Sequence, residues 1–194
     1  RIGAHAYLSP GLGLSGGHLE RDVATIRDLA TGAGTHSAVL DAWDSNSRHR
    51  RDWMLRTIHS EVNPNDSGPA IALWGLAYKP DTSSTKNSPA LALIEALGTF
   101  PVRVYDPQAV LDSQPRPGLV QDATPLDTCR GAEVLVLATA WREFASIDLA
   151  TVRELMAGRV IIDPFGVLDS SDCAELGFIY YRLGCRPLRP ELVA

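Results

Sequence analysis

The stretch Ile71–Leu97, IALWGLAYKPDTSSTKNSPALALIEAL, limits the fold of this chain more than any other. Ile71 to Trp74 is an unbroken apolar run, the pattern of a strand buried on both faces. Gly75 and the corner Lys79-Pro80-Asp81 end it, and the polar run Thr82–Lys86 follows. Asn87-Ser88-Pro89 then opens a helix. Ser88 is placed to accept an N–H as N-cap, and Pro89, which has no donor to lose, suits the first helical position. Leu91, Ile94 and Leu97 recur at helical spacing, and Leu93 widens their face. Strand, polar loop and helix make the first β–α step of a parallel sheet. Free backbone N–H groups and polar side chains are expected where strand gives way to helix, which is where such domains bind anions.

The alternation continues to the end of the chain. Val102–Tyr105 reads as a strand closed by Asp106-Pro107, and Ser113–Gly118 leads to a short Leu119–Val120 strand. Thr124–Gly131 is a turn or helix, and Glu133–Ala138, EVLVLA, is the most strand-like run present. Helix over Ile147–Met156, strand over Arg159–Ile162, helix over Asp169–Leu176 and strand over Phe178–Tyr181 complete the pattern. This predicts an α/β fold, a doubly wound, Rossmann-like parallel sheet with right-handed crossovers, with ligands beyond the carboxyl ends of the strands.

The amino-terminal third differs. A glycine-rich loop, Ser9–Gly17, leads into a helix whose Leu19, Val23, Ile26 and Leu29–Ala30 share a face, ended by Gly32 and Gly34. A second helix is expected over His36–Trp43. A third is expected from about Ser45 to Val62, with Arg48, Arg50, Arg51 and Arg56 solvated and Trp53, Met54, Leu55 and Ile58 inward. Asn63–Pro69 has the composition of a linker. The expected division is a partial all-helical domain over 1–68 and an α/β domain over 69–194. The helical part is too short to bury a good core alone, so it should pack on the second domain, on a partner subunit or on residues upstream.

A net charge of −5 gives no reason to expect nucleic acid or an anionic membrane as partner. No apolar run approaches the ~20 residues of a membrane span. Cys129, Cys173 and Cys185 are odd in number and lack metal-ligand spacing, which suits reduced thiols in a cytoplasm and no bound metal. The chain starts at Arg1 rather than Met and is expected to be a piece of something longer.

Several blocks in order, PGLGLSGGHLERDV, GLAYKPDT with Lys86 and Ser88-Pro89-Ala90, VRVYDP, EVLVLATAWREF, VIIDPFGVLD and ELGFIYYRLG, resemble the UDP-glucose/GDP-mannose dehydrogenase family. The likeness runs from Arg1 to about Gly184 and is most specific over Ile71–Leu97. It implies enzymes that oxidise the sugar of a nucleotide sugar to a uronic acid with NAD. It also implies that the present chain begins in the second half of their central domain. Their dinucleotide-binding domain lies upstream, and no strand–GxGxxG–helix fingerprint is read here.

Carried over residue by residue, the resemblance puts His18 at the family's nucleophilic cysteine, Arg21 at its lysine and Asp22 at its base and water-orienting aspartate. A related subgroup reads G-G-H-C, so His18 also aligns with that histidine and the cysteine is then deleted; either way no cysteine is present. A thiolate attacks the aldehyde and leaves readily, which an imidazole on that path cannot reproduce. His18 then reads either as a general base or as a solvent-facing loop residue. Asp22 reads also as a first-turn carboxylate favoured by the helix dipole. Gly13 and Gly16 belong to the loop beside the substrate, and Tyr78 and Lys79 look like the pair that contacts the nucleotide sugar. Lys79 reads equally as an exposed turn lysine.

Lys86 stands where the family has an arginine on the NAD side, and Phe165 stands where it has the arginine of D-G-R. Asp163, beside it, reads as cofactor-side or as the cap of a turn. Trp141 reads as core or interface packing rather than as a platform for the base. The implied function is the carboxy-terminal portion of an NAD-dependent nucleotide-sugar 6-dehydrogenase. The alternative is a nucleotide-sugar-binding module, a pseudoenzyme. A homodimer through the helical segment is the implied assembly.

Overall fold

The computed structural model describes residues 11–62, 68–112 and 116–190. Parts of three expected features lie outside these: Ser9 and Pro10 of the glycine loop, Asn63–Ser67 of the linker, and Ser113–Pro115.

Three helices come first: α1 (Leu19–Gly32), α2 (Ala38–Arg51) and α3 (Trp53–Glu61). The break between the last two is at Asp52, not in the polar run after Trp43, where one helix is expected to end and the next to start at about Ser45. That run stays helical because its side chains find partners on the helix surface. Asp44 takes an i,i+4 pair with Arg48 at 2.8 Å and approaches Arg27 of α1 at 3.5 Å. Ser47 accepts an N–H from Leu14 at 2.8 Å.

The rest is a six-stranded parallel sheet, order β3-β2-β1-β4-β5-β6, of β1 (Ile71–Trp74), β2 (Val102–Tyr105), β3 (Leu119–Gln121), β4 (Val134–Leu137), β5 (Val160–Ile162) and β6 (Ile179–Tyr181). Its helices are α4 (Pro89–Ala96), α5 (Pro125–Thr128), α6 (Leu149–Leu155) and α7 (Ser170–Glu175), with a 3-10 turn at Arg142–Ser146. The doubly wound α/β expectation therefore holds. The two central strands, β1 and β4, are buried at every residue, as their unbroken apolar runs require. The Ser88 hydroxyl caps α4 by accepting from Ala90 N–H at 3.1 Å, with Pro89 in the first turn. Asp148 and Asp169 cap α6 and α7 in the same way.

The core is the sandwich between sheet and helices. Trp74 on β1 is fully enclosed, its indole N–H donating to Thr128 Oγ1 at 2.9 Å and Pro125 O at 3.1 Å. A buried indole needs such acceptors, and here α5 supplies them. The helical segment joins this core through α3, whose Met54, Thr57 and Ile58 are buried. Each enclosed aliphatic side chain of this kind contributes roughly 2 kcal/mol. By contrast α1 has no buried residue and α2 only Leu40. Leu19, Ile26, Leu29, Val39 and Trp43 are all exposed. A second tie runs from Glu61 at the end of α3, which accepts from the Tyr181 hydroxyl of β6 and from Arg189 at 2.8 Å.

Candidate functional site

Strand order reverses between β1 and β4, the topological switch point at which open α/β sheets hold ligands. Gly75 and Thr139 follow these two strands. A Cβ on Gly75 would lie 2.5 Å from Thr139, and its φ of +97° is one that side-chain-bearing residues rarely adopt. Glycine thus lets the two loops close together, and Thr139 Oγ1 then donates to Ala77 O at 2.6 Å.

A cleft of about 250 Å³ opens there. Tyr78 and Lys79 from the loop after β1 form one wall, Thr139 after β4 and Phe165 after β5 another, and Gly11–Gly13 of the glycine loop a third. Among the described residues Lys79 is the charged group lining it, and no carboxylate does. Lys79 is exposed, with Nζ 5.6 Å from the centroid of the Tyr78 ring, inside cation–π range. The glycine loop is drawn onto this wall. Gly16 is buried with φ +79°, and a Cβ there would stand 2.7 Å from the Tyr78 ring. Ser15 Oγ donates to Tyr78 O at 3.4 Å, and Asn87 Nδ2 donates to Gly16 O at 2.9 Å and to Glu20.

Gly13, Tyr78, Lys79 and Phe165 are therefore brought together, with Gly16 directly behind Tyr78. Lys86 is exposed beside Gly17, whose added Cβ would meet its side chain at 3.0 Å. His18 is the exposed residue immediately before α1 and does not line the cleft. Asp22 is exposed on the first turn of α1 and paired with Arg21 at 3.2 Å. Neither joins Tyr78 and Lys79. Asp163 is fully buried. Its carboxylate accepts from the N–H groups of Phe165 (3.1 Å), Gly166 (2.9 Å) and Leu168 (2.9 Å) and from the Tyr180 hydroxyl (2.8 Å). It shapes the turn that presents Phe165, the second of its two sequence readings. Burial pushes the Tyr180 phenol well up, and the Asp163 charge adds to this.

One expectation needs correction. The backbone N–H groups after β1 are not free: Leu76 and Ala77 both donate to Asp106 Oδ2, at 2.6 and 2.9 Å. The other oxygen of Asp106 accepts from Gln108 N–H at 2.9 Å and Ala109 N–H at 2.7 Å, and the Trp141 indole donates to Oδ2 at 3.1 Å. An internal carboxylate already satisfies these donors. The Asp106-Pro107 dipeptide reads in sequence as a strand end. Its reach across to β1 depends on the β1–β2 register, which a single segment does not reveal.

None of the three thiols lines this cleft. Burial pushes Cys129 and Cys173 up to about 12, and Cys185 is exposed in the carboxy-terminal loop.

Comparison with known proteins agrees with this geometry. Residues 72–170 match the UDP-binding domain of the UDP-glucose/GDP-mannose dehydrogenase family. The UDP-glucose 6-dehydrogenase of Pseudomonas aeruginosa is 32% identical over 193 residues, covering 95% of this chain and 42% of that protein. The corresponding enzyme of Rickettsia bellii is 27% identical over 96% of this chain and 44% of its own length. The present chain thus spans less than half the length of these relatives. Among solved structures, the UDP-D-ManNAc dehydrogenase of Pyrococcus horikoshii superposes with a TM-score of 0.70 at 26% identity, over 93% of this chain and 41% of that one. Sheet order, a cleft at the switch point, the family match over residues 72–170 and a relative 32% identical together place this chain in the UDP-glucose/GDP-mannose dehydrogenase family, matching the carboxy-terminal part of its members.

Proposed function

We propose that this chain is the nucleotide-sugar-binding portion of an NAD-dependent nucleotide-sugar 6-dehydrogenase-like oxidoreductase. The observation that carries the reading is the cleft at the switch point, with Lys79 as its charged wall and, among the described residues, no opposing carboxylate. Lys79 meets the phosphate-bearing portion of the ligand as a point charge, and Tyr78 packs beside it over Gly16. At about 250 Å³ the cleft takes one portion of a nucleotide sugar, and the remainder rests on residues outside it. In this reading 1–68 is part of a central helical domain and 69–194 the nucleotide-sugar domain. The exposed Leu19, Ile26, Leu29, Val39 and Trp43 support pairing of two copies through the helical segment.

The dinucleotide fits these residues poorly. A pyrophosphate at the end of β1 would need the N–H groups that Asp106 already holds. The end of β1 therefore holds no dinucleotide in this reading, and Lys86 is the one residue here proposed to reach NAD.

A second reading, a module that binds a nucleotide sugar without completing its oxidation, is favoured by His18. Aligned at the family's cysteine, it lacks the sulfur that forms and releases a thioester. Oxidation to the aldehyde does not need that sulfur, so a longer parent would stop there.

Two experiments test this. Calorimetric titration with UDP-glucose, UDP-glucuronate and GDP-mannose should give saturable heat with at least one of them; heat with none contradicts both readings. For a chain extended upstream, NADH formation should fall short of two per sugar, and a His18→Cys variant should raise it. Full conversion to the uronate with His18 in place would overturn the cysteine-replacement account.

A further inference from the structure

A second cleft, of about 420 Å³, opens on the other side of the loop after β5. His49 and Arg50 from the end of α2, with Trp53 and Arg56 from the start of α3, form one wall; Pro164 after β5 and Gly184 after β6 form the other. It shares no lining residue with the switch-point cleft, although Pro164 directly precedes Phe165, which lines that one.

Its character is cationic and aromatic. Among the described residues no carboxylate lines it, in a chain whose net charge is −5. The basic run Arg48–Arg51 is partly explained by the helix dipole, which favours cations at the end of α2. Local pairing explains two of its members: Arg48 meets Asp44 at 2.8 Å and Arg51 approaches Asp52 at 3.9 Å. Arg50 and Arg56 have no carboxylate partner among the described residues. Arg50 Nε donates to Asn46 Oδ1 at 3.2 Å, and Arg56 Nη2 donates to His49 O at 2.9 Å. These bonds steady both side chains at the cleft and leave most of their N–H groups without an acceptor among the described residues. Two guanidinium forks of this kind match phosphate oxygens. Trp53 is half-buried and packs against the core, so its ring is held in place. The volume exceeds what a bare inorganic anion needs and falls in the range of small-molecule sites.

We propose that this cleft binds a small organic phosphate, with Arg50 and Arg56 on the phosphate oxygens and Trp53 against a planar or apolar group. The inference is independent of the nucleotide-sugar reading of the other cleft.

The test is an NMR titration of the 194-residue chain with phenyl phosphate, with inorganic phosphate and phenol as separate arms. Saturable shifts of the Trp53 indole N–H and of the Arg50 and Arg56 Nε–H groups are expected with phenyl phosphate, and weaker binding with either half alone. Arg50→Gln and Arg56→Gln should each raise Kd about tenfold or more, and Lys79→Ala should leave it unchanged. Arg50 and Arg56 are exposed, and an unchanged thermal melt in both variants verifies the fold. Unaltered affinity in both arginine variants overturns the proposal. So does a loss confined to Lys79→Ala, which would move the phosphate to the switch-point cleft. The absence of saturation below about 10 mM overturns it too, as does concentration-dependent self-association with no ligand-induced shift.

Discussion

At the residue scale, burial makes two chemically ordinary thiols inert. Cys129 and Cys173 rise from 9.0 to about 12, chiefly because their surroundings cannot solvate a thiolate; near Cys173 the charges of Asp163, Asp169 and Asp172 add to this. The same shift links stability to pH. A group that resists deprotonation when folded contributes fully below its unfolded value, and that contribution is lost as pH climbs from about 9 towards 12. Tyr181, raised to about 12 by burial and by its hydrogen bond to Glu61, extends the loss above pH 10. Urea midpoints measured from pH 8 to 11 should therefore fall, and Cys129→Ala should flatten the fall while lowering the starting value. A midpoint that is level or rising across that range would contradict the assignment. Sequence alone lists the thiols and their odd number, but not that two of them are enclosed by the sheet's own layers. His18 shows the complementary case. Its alignment with the family cysteine is proposed from motif order alone, whereas its exposed place before α1, outside the lining of the cleft, is a tertiary fact.

Elements are more legible in this sequence than their ends. β1, β4 and β5 are legible because buried parallel strands are short apolar runs between turn residues, and α4 because Ser88-Pro89 announces its start. The α2–α3 boundary lies later than the sequence suggests because Asp44 and Ser47 bond to Arg48, Arg27 and Leu14 instead of competing with the helix backbone. Asp106 is the larger omission: a residue at the end of β2 that fastens the loop after β1, the start of its own loop and Trp141. Asp106→Ala would orphan four buried or half-buried N–H groups and an indole donor. It should destabilise the chain by at least about 3 kcal/mol, with Asp106→Asn intermediate because one oxygen survives. Equilibrium unfolding measures this. A change below about 1 kcal/mol for the alanine variant would show that the carboxylate does not organise the switch point.

Among the described residues, the molecule is a six-stranded parallel sheet carrying a helical segment on one anchored helix. α3 is held by Met54, Ile58 and the Glu61–Tyr181–Arg189 cluster, while α1 and α2 leave apolar side chains outward. The glycine loop bridges the two parts, clamped by Ser47 on one side and by Tyr78 and Asn87 on the other. Movement of the helical segment would thus be felt at the cleft wall. That arrangement makes the cleft of Tyr78, Lys79 and Phe165 the centre of the account. Amide shift mapping on addition of UDP-glucose tests it most directly. Saturable shifts should cluster at Gly11–Gly13, Tyr78–Lys79, Thr139 and Phe165, and Lys79→Ala should weaken binding by about tenfold. Shifts centred on the opposite ends of the strands, or affinity untouched by Lys79→Ala, would contradict it.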